Sequence, residues 1–176
     1  MALPFGVRQR PQLVEMPPQK MAVVRTVGDP ENAAGRAFPA LFKCVFTLKF
    51  GPLKERGVEF RVGAPRARWP NGPHGLQLPR EEWVALWGIP LPDEVDELPQ
   101  PVPDVPVELQ TWEYGLVAHI LHLGAYADEL PTIERLHAFI LESGCEIAGD
   151  HEEEYLSRPT AKVPKTVIRY PVRRVS

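Results

Sequence analysis

The fold is decided by residues 114–147, which read YGLVAHILHLGAYADELPTIERLHAFILESGCEI. The apolar run that Gly124 closes predicts a β-strand over 114–123. Pro131 is typical of the first turn of a helix, and Gly144 is typical of the position after a helix end. Between them, helical spacing predicts that four apolar side chains share one face: Ile133, Leu136, Ile140 and Leu141.

A similar order of elements occurs earlier in the chain. A strand is predicted over 21–27 and is closed by Gly28. Asp29 and Pro30 then have the residue types of a helix cap and a first helical turn. A kink or a restart is expected at Pro39, because proline lacks the backbone N–H that a helix interior uses. The predicted face of this helix consists of Phe38, Leu41, Phe42, Val45, Phe46 and Lys49.

Further strands are predicted after each helix. After the helix that begins at Pro30 they lie over 58–69 and 83–89. After the helix that begins at Pro131 they lie over 145–148, 152–157 and 165–172. The glycines that close the two leading strands are 96 residues apart. A strand-helix-strand-strand order that occurs twice at such an offset indicates an internal duplication.

The predicted fold class is α+β, with two such units joined into one antiparallel sheet that has two helices on one face. The chain, 1–176, is expected to be one domain with halves at 20–90 and 107–176. Between them, 91–106 is a proline-rich acidic connector, and a short edge strand is expected at 12–15. A groove is expected at the pseudo-twofold axis, where ligand sites commonly lie.

Composition excludes several classes of function. Proline accounts for 21 of the 176 residues, which disfavours an all-helical bundle, and a net charge of −3 disfavours nucleic-acid binding. The longest apolar stretch, 116–123, is far shorter than the roughly 20 residues that span a membrane. The first 18 residues lack the apolar core of a secretory signal. Two cysteines, Cys44 and Cys145, form no framework, so we expect a cytoplasmic protein with reduced thiols.

Cofactor motifs are missing as well. The sequence contains no GxGxxG or GxxxxGK loop, no GxSxG elbow and no HExxH pair. His119 and His122 are three residues apart on a predicted strand and therefore lie on opposite faces. We expect neither a cofactor nor a metal.

The aromatic residues form the informative pattern. They occur in predicted strands or at strand ends, and Trp83 and Trp87, four residues apart, are expected to share a face. If the helices cover the other face, these rings line a groove; otherwise they fill an ordinary sheet core. The set consists of Trp69, Trp83, Trp87, Trp112, Tyr114, Tyr126, Tyr155 and Tyr170.

Acidic residues follow in His151-Glu152-Glu153-Glu154-Tyr155. Strand alternation places Glu153 on one face with His151 and Tyr155, whereas Glu152 and Glu154 are interpreted as a solvated edge. A carboxylate among aromatic rings attracts cations, and partial burial would raise its pKa toward that of a general base.

The order of these motifs resembles the GyrI-like small-molecule-binding family, in particular its longer stand-alone members. The resemblance runs from about residue 11 to the end. It is carried by PQLVEMPPQKMAVVRTVGDPE (11–31), ALFKCVFTLKF (40–50), the strand ending at Trp69, REEWVALWGIP (80–90), EYGLVAHILHLGAYADELPTI (113–133), HEEEYLSRP (151–159) and KTVIRYPV (165–172).

The resemblance implies a ligand groove with a central glutamate and an aromatic cage. Glu153 stands at the position of the family's glutamate, with Tyr155 after it, and Glu152 replaces a residue that is commonly histidine in the family. Positions similar to cage residues are Trp69, Trp83, His122 and Tyr126. The predicted ligand-binding set consists of these four with Trp87, Trp112, Glu153 and Tyr155.

Three functions are compatible with this resemblance. The first is binding of hydrophobic or cationic xenobiotics, as in the ligand domains of MerR-type multidrug regulators. The second is hydrolysis of cyclopropane-bearing alkylating compounds, in which Glu153 and Tyr155 are the catalytic candidates. The third is a protein-interaction role such as inhibition of DNA gyrase or contact with a regulator. No basic helix-turn-helix pattern precedes residue 20.

Overall fold

The computed structural model describes residues 4–70, 77–158 and 160–176. The chain folds as two compact units. The first unit is Pro18–Glu113, and the second unit is Met1–Pro17 together with Tyr114–Ser176. The turn-rich loop around Asn71–Gly75 lies outside the described residues.

The secondary structure is dominated by nine strands and two long helices within these residues. The helices are α1 (Pro30–Phe50), α2 (Pro52–Glu55) and α3 (Leu130–Glu142). The strands are β1 (Gln12–Met16), β2 (Gln19–Val27), β3 (Arg66–Trp69), β4 (Val84–Pro90), β5 (Glu108–Trp112), β6 (Gly115–Leu123), β7 (Cys145–Ile147), β8 (His151–Tyr155) and β9 (Lys165–Arg174).

The two units have matching sheets. In the first unit, β2 pairs with β4 and β5, and β3 pairs with β4, all antiparallel. In the second unit, β6 pairs with β9 and β1, and β8 pairs with β9, again antiparallel. Strand β7 adds a short extra pairing to β9. The α+β class and the duplication are therefore confirmed.

Two glycines show how the duplication is built. Gly28 and Gly124 follow the nine-residue strands β2 and β6 and have positive φ angles of 132° and 128°. A residue with a side chain rarely adopts this conformation, so glycine is required at both turns. Their N–H groups donate to Trp83 and Pro164, the residues just before β4 and β9, at 2.9 Å in both units.

Helix α1 corrects two expectations. It runs through Pro39 as one helix, so the expected restart is absent. Its buried face is also rotated from the predicted one, because small side chains let the helix approach the sheet closely. The buried residues are Ala33, Ala37, Ala40, Leu41, Cys44, Val45 and Leu48, while Phe42, Phe46 and Phe50 stack in a row with centroid separations of 6.3 and 6.0 Å.

Helix α3 packs on the sheet of the second unit mainly through Leu136 and Ile140, with Ile133 partly buried against the same cluster. The placement of Leu141 on this face was wrong: its side chain is 72% exposed. Leu141 directly follows Ile140, and a step of one residue turns the side chain about 100° around the helix.

The expected strand over 58–69 is much shorter, because only β3 at its end pairs with a neighbour. Strand β5 was not predicted, and its polar composition, ELQTW, explains why. The edge strand at 12–15 is confirmed as β1.

The connector 91–106 contains no helix or strand, in agreement with its proline content. It is fixed to the first unit: the Lys20 ammonium donates to the carbonyls of Asp93 and Val95 at 2.7 and 2.6 Å, and Leu91 and Val95 are buried. Within the described parts of the chain, no helix has the length and apolar character needed to cross a membrane.

Candidate functional site

Strand β8 separates three consecutive carboxylates onto two faces of its sheet. Glu153 is opposite Ile168 of β9, and Ile168 packs with Leu136 and Ile140 of α3. Glu153 therefore points to the helix-covered side, whereas Glu152 and Glu154 point to the other side. The predicted alternation is correct, and the face that carries Glu153 is the one that α3 covers.

Glu153 is the centre of a hydrogen-bonded cluster within the second unit. Its Oε1 accepts from His151 Nε2 at 2.9 Å and its Oε2 accepts from the Tyr155 hydroxyl at 2.9 Å. The other ring nitrogen of His151 lies 2.6 Å from the Tyr170 hydroxyl. The side chain of Glu129, the residue before α3, interacts with the Glu153 carboxyl group. We call Glu129 and Glu153 the acid pair.

The two carboxyl groups of the acid pair differ in their affinity for protons. Burial, the negative charge of Glu153 and the hydrogen bond between them raise the pKa of Glu129 to about 9. Burial by itself raises the pKa of Glu153, but His151, followed by Tyr155 and Glu129, lowers it on balance. At neutral pH the acid pair therefore contains one ionised carboxylate, Glu153, and one protonated acid, Glu129.

The buried Glu153 carboxylate has an imidazole, that of His151, rather than a lysine or arginine as its ion-pair partner. Glu153 is 9% exposed, and in the part of the chain that the structure describes no lysine or arginine forms an ion pair with it. Glu129 is 7% exposed, and its Oε1 has no hydrogen-bond partner among the described residues. Buried charges are normally paired with an opposite charge, so this arrangement favours an added cation.

A rim of exposed side chains borders the acid pair. Tyr126 is 41% exposed, and its ring meets that of Tyr155 edge to face with centroids 5.8 Å apart. Leu130, directly after Glu129, is also exposed. Tyr126 lies in a short 3₁₀ turn, Tyr126–Asp128, rather than at a strand end as the sequence suggested. Aromatic faces beside a carboxylate suit ligands that are both cationic and flat.

The opposite face of the same sheet corrects the interpretation of Glu152 and Glu154. Both are buried, and Arg169 of β9 bridges them: its Nη1 donates to Glu152 at 2.6 Å and its Nη2 to Glu154 at 2.7 Å. The Tyr114 hydroxyl donates to Glu152 at 2.9 Å. The prediction that Glu152 and Glu154 lie on a solvated edge was wrong, because β9 pairs with β8 and places the Arg169 guanidinium on this face.

His122 has both ring nitrogens occupied inside the second unit. Its Nδ1 lies 2.8 Å from the Thr132 hydroxyl and its Nε2 lies 3.0 Å from the Ala125 carbonyl. These contacts fix the turn between β6 and α3 that carries Tyr126 and Glu129. A ligand-binding role for His122 stays a prediction; the structure shows a contact role in this turn.

The predicted tryptophans all belong to the first unit. Trp87 is buried, with its ring against Phe38 of α1 at 5.3 Å and against Trp69 at 6.1 Å. Of the two alternatives for the rings, Trp87 follows the sheet core, because its ring fills the layer between β4 and α1. Trp83 stands just before β4, half-buried, and its Nε1 donates to the Leu78 carbonyl.

Trp112 lies on the other face of the first unit's sheet. A Cβ at Gly88 would meet two ring atoms of Trp112 at 3.1 and 3.2 Å, and Gly88 is the strand neighbour of Trp87. Trp87 and Trp112 therefore point to opposite faces. The Arg68 guanidinium lies 4.3 Å from the Trp112 ring centroid. The eight predicted ligand residues are therefore divided between the units, with the four tryptophans in the first and His122, Tyr126, Glu153 and Tyr155 in the second.

Glu129 is the functional candidate that the sequence did not single out. Its position in ADELPT, directly before a helix, gives no local sign that it will lie beside Glu153 some two dozen residues later. Only the packing of α3 on the sheet of the second unit brings the two carboxyls together. The signal that could have drawn attention is an acidic residue at the start of an otherwise apolar helix face.

Metal binding has no support in the geometry. Among the described residues no group of three or more histidine, cysteine or acidic side chains is placed to hold an ion. The cluster around Glu153 is instead a network of one histidine, tyrosine hydroxyls and two carboxyls.

The comparisons with known proteins agree with the expected resemblance. The family model for the GyrI-like small molecule binding domain matches residues 9–173. Comparison of the sequence with curated proteins found no match.

Solved structures of similar fold cover nearly the whole chain. A conserved protein from Listeria innocua, described as uncharacterized, has a TM-score of 0.83 at 24% identity, over 96% of this chain and 95% of that one. A hydrolase from Listeria innocua has a TM-score of 0.77 at 23% identity, over 96% and 94%. The C-terminal domain of EcmrR has a TM-score of 0.66 at 12% identity, over 94% and 98%. These identities support the fold alone.

Proposed function

The chain belongs to the family of GyrI-like small-molecule binding domains, and from this premise we propose that it binds bulky aromatic cations, such as xenobiotics, with Glu153 as the charge partner. The observation that carries the proposal is the buried Glu153 carboxylate, which has hydroxyl, imidazole and carboxyl neighbours and no lysine or arginine ion pair within the described residues. A cationic ligand would supply the missing positive charge.

The neighbouring rings support this choice of ligand. Tyr126 is exposed at the rim and Tyr155 is half-buried beside it, so a flat ligand can stack on Tyr126 while its charge approaches Glu153. Cation–π contacts of this kind contribute roughly 0.5–2 kcal/mol each. Because stacking on a ring accepts many shapes, the site would select for charge and flatness more than for one compound.

The four tryptophans differ in burial. Trp69 and Trp83 are half-buried side chains of the first unit, and a ligand-binding role for them stays a prediction. Trp87 and Trp112 are almost completely buried and contribute through the packing of the first unit. We expect binding to take place in the cytoplasm, where the buried free thiols of Cys44 and Cys145 stay reduced.

Binding of rhodamine 6G, a permanently charged aromatic dye, tests the proposal. Fluorescence anisotropy of the dye should give saturable binding to the unaltered protein. Glu153→Gln removes the charge but keeps the size, and we expect a loss of about ten- to a hundredfold in affinity, since a contact with a charged group is worth about 1.5–3 kcal/mol.

Glu146→Gln is the matched control, because Glu146 is an exposed acid of the same unit that pairs with Arg173. It should bind the dye as the unaltered protein does. Equal affinity of Glu153→Gln and Glu146→Gln would remove Glu153 from the site, and no dye binding by the unaltered protein would overturn the proposed function.

A second candidate, hydrolysis of cyclopropane-bearing alkylating compounds, is favoured by the opposite protonation states in the acid pair. In this reaction, Glu153 takes a proton from a water whose oxygen bonds to a carbon of the cyclopropane. The C–C bond that breaks gives its electrons to a carbonyl conjugated to the ring, and Glu129 donates its proton to that carbonyl oxygen. Chromatography with such a compound should show a hydrolysed product that is lost in Glu153→Gln and in Glu129→Gln. Product formed by both variants at the normal rate would exclude this role.

A further inference from the structure

The acid pair also determines what must leave when a cation arrives. We propose that a cationic ligand enters the acid pair in exchange for its proton, so that one proton is released from Glu129 for each positive charge bound. This inference rests on the proposed function, because it concerns the same site, and it names the ligand class as cations rather than aromatic compounds in general.

The hydrogen bonds identify Glu129 as the proton's location. Both oxygens of Glu153 accept, one from His151 and one from Tyr155, so Glu153 is the ionised member. Two buried carboxyl groups this close cannot both stay ionised, and Glu129, whose Oε1 has no hydrogen-bond partner among the described residues, is the one that holds the proton. The buried pair thus carries a single negative charge when no ligand is present.

A second observation points to a ligand at Glu129 itself. Its Oε1 is buried and has no hydrogen-bond partner among the described residues, although 93% of the residue's surface is covered. A buried oxygen of this kind is costly unless a partner is supplied. A cation beside Oε1 would supply it, and the same positive charge would remove the repulsion that now keeps Glu129 protonated.

Several titratable groups surround the acid pair, and the experiment must distinguish their titration from that of Glu129. His151 and Tyr155 come from β8, Tyr170 from β9, Tyr126 from the 3₁₀ turn and His137 from α3. His122 of β6 contacts the first turn of α3. Burial raises the pKa values of Tyr126, Tyr155 and Tyr170. Measurements between pH 7.5 and 8.5 therefore lie above the ordinary histidine range and below the titration of these tyrosines.

The first test is the pH dependence of dye binding. Rhodamine 6G keeps its charge across this window, so any change comes from the protein. Release of one proton tightens the dissociation constant close to tenfold from pH 7.5 to 8.5, and calorimetry in buffers of different ionisation enthalpy should count about one proton released. Nile red, an uncharged aromatic dye, should show neither effect if it binds.

Glu129→Gln is the decisive variant, because glutamine keeps a hydrogen-bond donor toward Glu153 but has no proton to release. It should bind rhodamine 6G with an affinity that no longer changes over the window. If this variant does not fold, calorimetry on the unaltered protein decides alone.

The outcomes distinguish the two proposals. Rhodamine 6G binding that is independent of pH and releases no proton overturns the exchange but leaves the binding function intact. The same is true if Glu129→Gln keeps the full pH dependence. No binding at any pH overturns the binding function and the exchange together.

Discussion

Buried glutamates on the two faces of the second unit's sheet have different neighbours that compensate their charge. On the face away from α3, Glu152 and Glu154 are neutralised by a guanidinium, Arg169, that is itself 1% exposed. On the face toward α3, Glu153 lies beside a second acid, Glu129, whose presence contributes to the lowered pKa of Glu153. The three glutamates are consecutive, so their difference is a property of what β9 and α3 place opposite each one.

The cluster of Arg169 with Glu152 and Glu154 is structural, whereas the acid pair is the cluster that we propose to exchange a proton for a ligand. An arginine held by two carboxylates cannot leave, and its pKa is raised further by their charges despite its burial. In the proposed exchange, the proton held between the two carboxyls leaves when a cation binds. The first arrangement stabilises the fold, and the second is suited to binding.

The largest expected effect comes from removing the guanidinium. Arg169→Met leaves Glu152 and Glu154 buried without compensation, which typically costs about 3–5 kcal/mol. Urea unfolding should show this loss. Arg173→Met is the matched control, because Arg173 is exposed and should change stability by about 0.5 kcal/mol at most.

Removing all three charges sharpens this test. Arg169→Met combined with Glu152→Gln and Glu154→Gln should recover part of the loss, since no buried charge is then left unpaired. A single Arg169→Met protein as stable as the Arg173→Met control would contradict the description of this face.

A second effect is expected on acidification. Burial, followed by the charge of Arg169, lowers the pKa of His119 to about 4 from an ordinary 6.5. The folded state therefore holds His119 neutral, and its contribution is present above pH 6.5 and lost as the pH falls toward 4. The linkage amounts to about 3 kcal/mol.

His119→Leu should remove this acid sensitivity. The difference in unfolding free energy between the variant and the unaltered protein should shift in favour of the variant from pH 7 to pH 4.5. An unchanged difference over that range would mean that His119 is not held neutral.

The smallest effect compares two tyrosines that donate to glutamates on the two faces. Tyr114→Phe removes the bond to Glu152 and Tyr155→Phe removes the bond to Glu153. Each should cost about 1–2 kcal/mol in urea unfolding. Only Tyr155→Phe should also change rhodamine 6G affinity. A change of affinity in Tyr114→Phe alone would reverse the assignment of the two faces.

Local patterns predicted most of the elements. Strand β6, the glycine turns and the start of α3 follow from apolar runs, Gly124 and Pro131, because these residues act on their own backbone. The predicted buried face of α1 was wrong because phenylalanine and alanine fit the same spacing. Which of them meets the sheet depends on how closely the helix packs, and that is a tertiary quantity.

The candidate site was predicted only in part. Alternation correctly grouped Glu153 with His151 and Tyr155, since side chains two residues apart on a strand share a face. It could not show that Arg169 neutralises Glu152 and Glu154, or that Glu129 reaches Glu153, because both contacts join segments that are distant in the chain.

The sequence by itself determined the duplicated α+β order, the family resemblance and the grouping of Glu153 with His151 and Tyr155 on one side of β8, since each depends on residue types at short spacing. The tertiary structure alone decided which carboxylates are neutralised by Arg169 and which lies beside Glu129. The reason is that charge compensation depends on distance in space and on burial, and neither is fixed by spacing along a strand.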